Sequence, residues 1–180
     1  VLLCYAVSTV ELRGTYNPVS PRAGTGLNTP YLYREQTMNH PPGDTPRFSD
    51  KVVVVTGAAS GMGQASALRF GREGARVWCA DVNGEGAAAT AGKINELGGS
   101  ARSSQFDVTR VAQCRALIAE VVEAFDGLDI LCNIAGLGGT TPVADETESH
   151  WNLVVDVNIN GPFFLSQAAL PPRLGSRGAR

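Results

Sequence analysis

Between Thr56 and Gly63 the chain reads T-G-A-A-S-G-M-G, directly after four valines and directly before an amphipathic pattern. Glycines in that place let the chain turn tightly, admit a pyrophosphate against bare backbone, and leave the first N–H groups of a helix facing negative charge. Thr56, Gly57, Ser60, Gly61, Met62 and Gly63 are therefore the candidate phosphate-cradling residues. A turn with no ligand would use the same glycines, so position between strand and helix carries the reading more than the letters do.

Three further features extend the pattern. Asp81 follows the run R-V-W-C-A, 18 residues after Gly63, about the interval at which an acidic side chain reaches an adenosine ribose. Its carboxylate accepts from both ribose hydroxyls and repels a 2′-phosphate, so NAD is expected in preference to NADP, and the uncharged Ser60 agrees. The alternative is an aspartate that caps the following helix. Asp107, with Val108 after it, follows the third predicted strand in F-D-V-T; strand ends line the ligand crevice of parallel sheets, so it reads as an adenine contact or as a turn residue. A fourth run ends in C-N-I-A-G, Cys132 to Gly136.

The elements that must position these residues follow from the punctuation. Short apolar runs alternate with helical patterns from Lys51 onward, which argues for βα units and a parallel sheet. Val52–Val55 has no polar alternation and is expected to be buried on both faces. Helices are predicted from Met62 to about Glu73, stopped by Gly74, and from Gly86 to Leu97, with Ala87, Ala91 and Ile94 on one face. A third is predicted after Thr109, its expected cap, with Val111, Cys114, Ile118, Val122 and Phe125 inward. A long helix from about Thr147 to Leu170 closes the pattern. Strands are predicted at Arg76–Ala80, Ala101–Phe106 and Leu128–Cys132. The fold class is thus α/β, a Rossmann-like doubly wound parallel sheet, incomplete, with the first four βα units. Residues 50–170 form the domain. Residues 1–49 hold six of the ten prolines and all four tyrosines and read as an N-terminal tail, with residues 171–180 a C-terminal one. Met38 is the first methionine, so either translation starts there or a genuine extension precedes it.

Composition narrows the function classes. A net charge of -2 supplies no basic field for nucleic acid. No run is long enough to span a bilayer, and V-L-L-C-Y-A-V lacks the charged flank of a signal peptide, so a cytoplasmic location is expected. Cys4, Cys79, Cys114 and Cys132 have no ligand spacing, so no metal site is expected.

The order of T-G-x-x-x-G-x-G, Asp81, Asp107-Val108, Asn133-Ile134-Ala135-Gly136 and V-N-I-N-G-P-F resembles the short-chain dehydrogenase/reductase family over about residues 48–170. The resemblance implies an NAD(P)-dependent oxidoreductase that moves hydride between a nicotinamide and a small-molecule alcohol or ketone, and a homo-oligomer when complete. It implies that Asn133, Ala135 and Gly136 brace the sheet and pass the ribose, Ile134 replacing the family's second asparagine. It places Asn158 in the catalytic tetrad, where its backbone carbonyl would hold a relay water. Independently, Pro162 lacks the N–H that would bond the carbonyl of residue 158 in an α-helix, so a kink is expected there, softened by Gly161.

The family's remaining chemistry needs a Ser and a Y-x-x-x-K pair, in which the lysine stabilises a tyrosinate that is otherwise a poor base near neutral pH. The lysines are Lys51 and Lys93, and the tyrosines Tyr5, Tyr16, Tyr31 and Tyr33, so no such pair is present. The chain is expected to be truncated before that half and inactive alone. A non-catalytic dinucleotide-binding or interaction module is the alternative; an extended-type epimerase or a methyltransferase spaces its glycines differently. The fourth strand is expected to leave an open sheet edge, and the long helix an exposed apolar surface.

Overall fold

The computed structural model describes residues 2–5, 46–138 and 141–170, the first of these as backbone. Five parallel strands, β1 (Leu2–Tyr5), β2 (Val52–Thr56), β3 (Arg76–Asp81), β4 (Ser100–Gln105) and β5 (Ile130–Asn133), lie in the order β1-β5-β2-β3-β4. The helices are α1 (Gly61–Arg72), α2 (Gly84–Glu96), α3 (Val111–Phe125), α4 (Glu148–Val155) and α5 (Gly161–Ala169).

The valine run explains the layering. Successive side chains of a strand point to opposite faces, so Val53 and Val55 join Val77, Cys79, Ala67, Ala87 and Ile94 in the core under α1 and α2. Val52 and Val54 join Trp78, Cys114, Ile118, Val121 and Leu165 under α3 and α5. Every residue of β2 is buried, as expected for a strand covered on both faces. From β2 the chain runs outward through β3 to β4, then returns to place β5 on the other side of β2. The reversal creates a crevice beyond the carboxyl ends of β2 and β5, where open α/β sheets take ligands. The doubly wound fold class is the one the sequence implies.

Several local expectations are corrected. The expected N-terminal tail, 1–49, carries described structure at its two ends. Leu2–Tyr5 pairs in register with Ile130–Asn133, so β5 is not an edge strand. Near the domain, Phe48 packs edge-on against Phe70 at 4.9 Å, and Arg47 bonds Glu73 at 2.8 Å. Met38 and the expected C-terminal tail, 171–180, lie outside the described residues.

Thr109 does not cap α3. Its hydroxyl donates instead to Asp107 Oδ1 at 2.7 Å, and Arg110 occupies the cap position with no side-chain bond. The long helix is not uniform either. Between α4 and α5, residues Asp156–Asn160 form a π-helical turn, and Gly161 N–H donates to Asp156 O, five residues back. Pro162 opens α5, where a missing N–H is tolerated. The expected kink is therefore a π turn, a common form of helix interruption at functional sites. Gly161 is helical, φ −57°, and not a soft point. A Cβ there would sit 2.6 Å from Val108 Cγ2 and 2.8 Å from Val108 O, so glycine is required for close approach.

Candidate functional site

The first wall of the crevice grows from the end of β2. Thr56, 1% exposed, has one hydroxyl and three partners. It donates to Cys132 O at 3.3 Å and accepts from the N–H groups of Ile134 at 3.0 Å and Ala135 at 3.1 Å. The residue that ends β2 thus tethers the segment that leaves β5. Gly57 follows at φ +70°, the left-handed region open chiefly to glycine. A Cβ on it would meet Ala135 N and Cα at 2.9 Å. Gly63 is more constrained: a Cβ would stand 1.9 Å from Gly57 O, so any larger residue separates α1 from the loop.

At the start of α1, the first helical N–H to find an acceptor is that of Gln64, which donates to Ser60 O at 3.1 Å. The N–H groups of Gly61, Met62 and Gly63 precede the ladder, where the helix terminus carries its positive partial charge. Ser60 stands at the cap position without a side-chain cap bond, and Ser60, Gly61 and Met62 are exposed. Gly61 also has positive φ, +53°, with open space where its side chain would be.

Asp81 forms the rim. Oδ2 accepts from Ala59 N–H and Oδ1 from Asn83 N–H, both at 2.9 Å. A carboxylate offers about four acceptor sites, so both oxygens keep capacity for ribose hydroxyls. The alternative role as a helix cap goes elsewhere: Asn83 accepts from Gly86 N–H and caps α2. Asp107 also serves its own loop. Oδ1 accepts from Thr109 N–H at 3.0 Å and Thr109 Oγ1 at 2.7 Å, and Arg110 Nε lies 3.5 Å from Oδ2. Burial pushes its carboxyl upward, but these hydrogen bonds and the guanidinium outweigh it and hold the group below the usual carboxylate range. Asp107 is thus an ionised turn residue that borders the crevice.

Gly57, Asp81, Asp107, Val108, Ala135 and Gly136 line one cavity of about 430 Å³. The structure thereby assembles candidates spread over eighty positions of sequence. Thr56 lies behind that wall. Asn133, 3% exposed, points away from it: its Nδ2 donates to Ser166 Oγ on α5 at 3.2 Å, and its Oδ1 has no partner among the described residues. Asn158 sits in the π turn with its amide engaged twice. Oδ1 accepts from Leu137 N–H at 3.0 Å, and Nδ2 donates to Leu137 O at 2.7 Å. That two-way clamp fixes the loop after β5, and Leu137 lines the same cavity.

Residues outside the motif also hold the glycine loop. Thr90 of α2 donates to Ala58 O at 2.8 Å, and Gln64 Nε2 donates to Thr90 Oγ1 at 3.1 Å and to Ala59 O at 3.3 Å. Gln113 accepts from Asp107 N–H at 2.8 Å. A signal for Thr90 was available: it shares the helical face of Ala87, Ala91 and Ile94, and a hydroxyl on an apolar face needs a partner.

The cradle fits a dinucleotide: bare backbone where a Cβ would intrude, N–H groups at a helix terminus, and a carboxylate at the rim. Among the described residues no cluster could hold a metal ion, and no helix is long and apolar enough to cross a membrane.

Comparison with known proteins agrees. The model for the short chain dehydrogenase family matches residues 51–180. A 3beta-hydroxysteroid dehydrogenase of Mediterraneibacter gnavus is 37% identical over 74% of this chain and 49% of its own length. A 2,5-dichloro-2,5-cyclohexadiene-1,4-diol dehydrogenase of Sphingobium indicum is 41% identical over 69% of this chain and 50% of its own. Among solved structures, a short chain dehydrogenase of Mycobacterium smegmatis superposes with a TM-score of 0.67 at 35% identity, over 74% of this chain and 57% of that one. A metagenomic short-chain oxidoreductase in complex with NADP gives 0.66 at 32% identity, over 69% and 57%. The chain spans about half the length of the curated relatives it matches. Crevice, cradle and matched segment coincide, and the chain belongs to the short-chain dehydrogenase family of oxidoreductases.

Proposed function

We propose that this chain is the dinucleotide-binding portion of an oxidoreductase acting on a small-molecule alcohol or ketone, with NAD preferred over NADP. The observation that carries the reading is the backbone cradle, in which Gly57 packs on Ala135 and Gly63 on Gly57 while Asp81 stands at the rim. When bound, the nicotinamide supplies or accepts the hydride. The chain's own residues do the holding. N–H groups of Gly61, Met62 and Gly63 face the pyrophosphate, Asp81 accepts from the ribose, Asp107 and Val108 border the adenine, and Thr56 braces Ala135 behind it. Asn133 ties β5 to α5 through Ser166. We assign Asn158 to the catalytic machinery through its backbone, its side chain serving to orient the loop at Leu137. The proton-transferring tyrosine and its lysine are absent from the sequence, which supports an inactive chain. Exposed Trp151, Leu153, Ile159 and Phe163 support a homo-oligomer.

The test is titration with NAD and NADP. Asp81→Asn keeps an acceptor for Ala59 N–H but removes the charge that opposes a 2′-phosphate. Losing the charge-assisted bond is expected to weaken NAD binding by about 1–2 kcal/mol and to narrow the preference for NAD. Tighter binding of NADP than NAD by the unmodified chain refutes the cofactor assignment. A second reading is a module that binds dinucleotide without catalysis. Formation of NADH from secondary alcohols by this chain would overturn both that reading and the expected inactivity.

A further inference from the structure

We infer that the Gly86–Thr90 face of α2 is a positioning element for the pyrophosphate subsite, acting through the carbonyls of Ala58 and Ala59. The inference rests on the dinucleotide reading and names residues outside the glycine motif that set its affinity. Three independent contacts carry it. A Cβ on Gly86 would stand 2.7 Å from Ala59 Cβ, so the first turn of α2 lies directly against the loop and glycine is needed for that approach. Thr90, fully buried one turn later, donates to Ala58 O at 2.8 Å and lies 3.1 Å from Gly86 O. Gln64, one residue after the last glycine of the motif, donates through one amide nitrogen to Thr90 Oγ1 at 3.1 Å and to Ala59 O at 3.3 Å.

The consequence follows from the geometry of peptide planes. Each carbonyl shares a rigid plane with the next N–H. The Ala58 carbonyl, gripped by Thr90, fixes the Ala59 N–H that Asp81 accepts from. The Ala59 carbonyl, gripped by Gln64, fixes the N–H of Ser60 at the mouth of α1. With Ala58 N–H donating to Ala80 O at 3.3 Å, the loop is held from β3, α1 and α2 at once. Donors held in place before a ligand arrives lose no freedom on binding, which is how preorganisation raises affinity. The hydroxyl of Thr90 is the junction of that network, since it both donates to the loop and accepts from Gln64.

Thr90→Val keeps the shape and removes the hydroxyl, whereas Thr90→Ser keeps the hydroxyl. Calorimetric titration of the full chain with ADP-ribose, which carries the pyrophosphate, and with adenosine, which does not, separates positioning from general loosening. Thr90→Val is expected to weaken ADP-ribose about five- to tenfold, the loss of one ordinary hydrogen bond, with adenosine, which meets the network only through Asp81, weakened by a smaller factor and Thr90→Ser near the parent. If Thr90→Val does not fold, Gln64→Leu, at a half-buried position, is expected to give the same selective loss. Equal losses for both ligands, or a serine variant as weak as the valine one, would overturn the inference, as would unchanged ADP-ribose binding by both Thr90→Val and Gln64→Leu. A parent chain that binds no ADP-ribose would refute the dinucleotide reading itself and this inference with it.

Discussion

Thr56→Val isolates the join between β2 and the segment after β5. Valine keeps the β-branched shape of threonine in a strand whose residues are all buried, so the change is chiefly the loss of the hydroxyl. What is lost is one oxygen with three partners. The Ile134 and Ala135 N–H groups lose their acceptor, and Cys132 O loses a longer bond. Each N–H bond to an uncharged acceptor contributes about 1 kcal/mol, and a donor left buried without a partner adds its desolvation cost. Ile134 and Ala135 are half-buried, so water recovers part of that second amount. The sum is about 3 kcal/mol, roughly a 10 °C fall in melting temperature for a domain of this size. Thr56→Ser restores the hydroxyl and removes only a methyl, for about 1 kcal/mol. Urea and thermal melts of the three chains give the comparison, and amide exchange at Ile134 and Ala135 locates it. A valine variant that melts within about 2 °C of the parent, or a serine variant as weak as valine, would refute the account of Thr56 as the join.

Two further outcomes follow from other parts of the molecule. Glu73, with a side chain only 6% exposed, has its carboxyl held down to about 2 from an ordinary 4.5, chiefly by the hydrogen bond from Arg47 against the opposing effect of burial, with Arg69 adding. A depressed carboxyl stabilises the fold fully above its ordinary value and loses that contribution as pH falls from about 4.5 to about 2; because both arginines are mostly solvent-exposed, the amount is about 1 kcal/mol. The stability difference between the parent and Glu73→Gln should therefore shrink through that window, and a difference unchanged between pH 6 and pH 2.5 would refute it. Deleting residues 1–6 removes β1 and exposes the β5 edge, so exchange at Ile130–Asn133 should quicken and the chain should self-associate in light scattering; unchanged exchange and a monomer would show that β1 does not close the edge.

How much of this was legible in the sequence depends on the range of the interactions. The valine run, the glycine turn and Asp81 were legible because each states its requirement locally: burial on both faces, backbone without Cβ, a carboxylate at a strand end. β1 was not legible, because four apolar residues pair across more than a hundred positions and carry no periodicity of their own. Thr109 misled because a threonine before a helical pattern suits a cap; only the fold shows that Asp107, two residues earlier, captures its hydroxyl. Thr90 was not singled out, because its partner is a carbonyl thirty-two positions away.

The π turn shows why the crevice has two fixed walls. Pro162 cannot donate to the carbonyl of residue 158, and widening the helix by one residue accommodates that loss without ending it. From this turn Asn158 clamps Leu137, in the loop after β5. Three residues on, Gly161 lies close enough to Val108, in the loop after β4, that no side chain fits between them. One short segment therefore touches the loops that leave two different strands, and Leu137 and Val108 both line the cavity. Thr56 performs the corresponding task from the other side, joining the end of β2 to Ala135. The cavity is consequently bounded by contacts that span the sheet and does not depend on any one loop's own stiffness. That arrangement suits a pocket whose walls must keep a fixed spacing, because displacing any of them requires breaking a side-chain bond or a close packing contact with a different element.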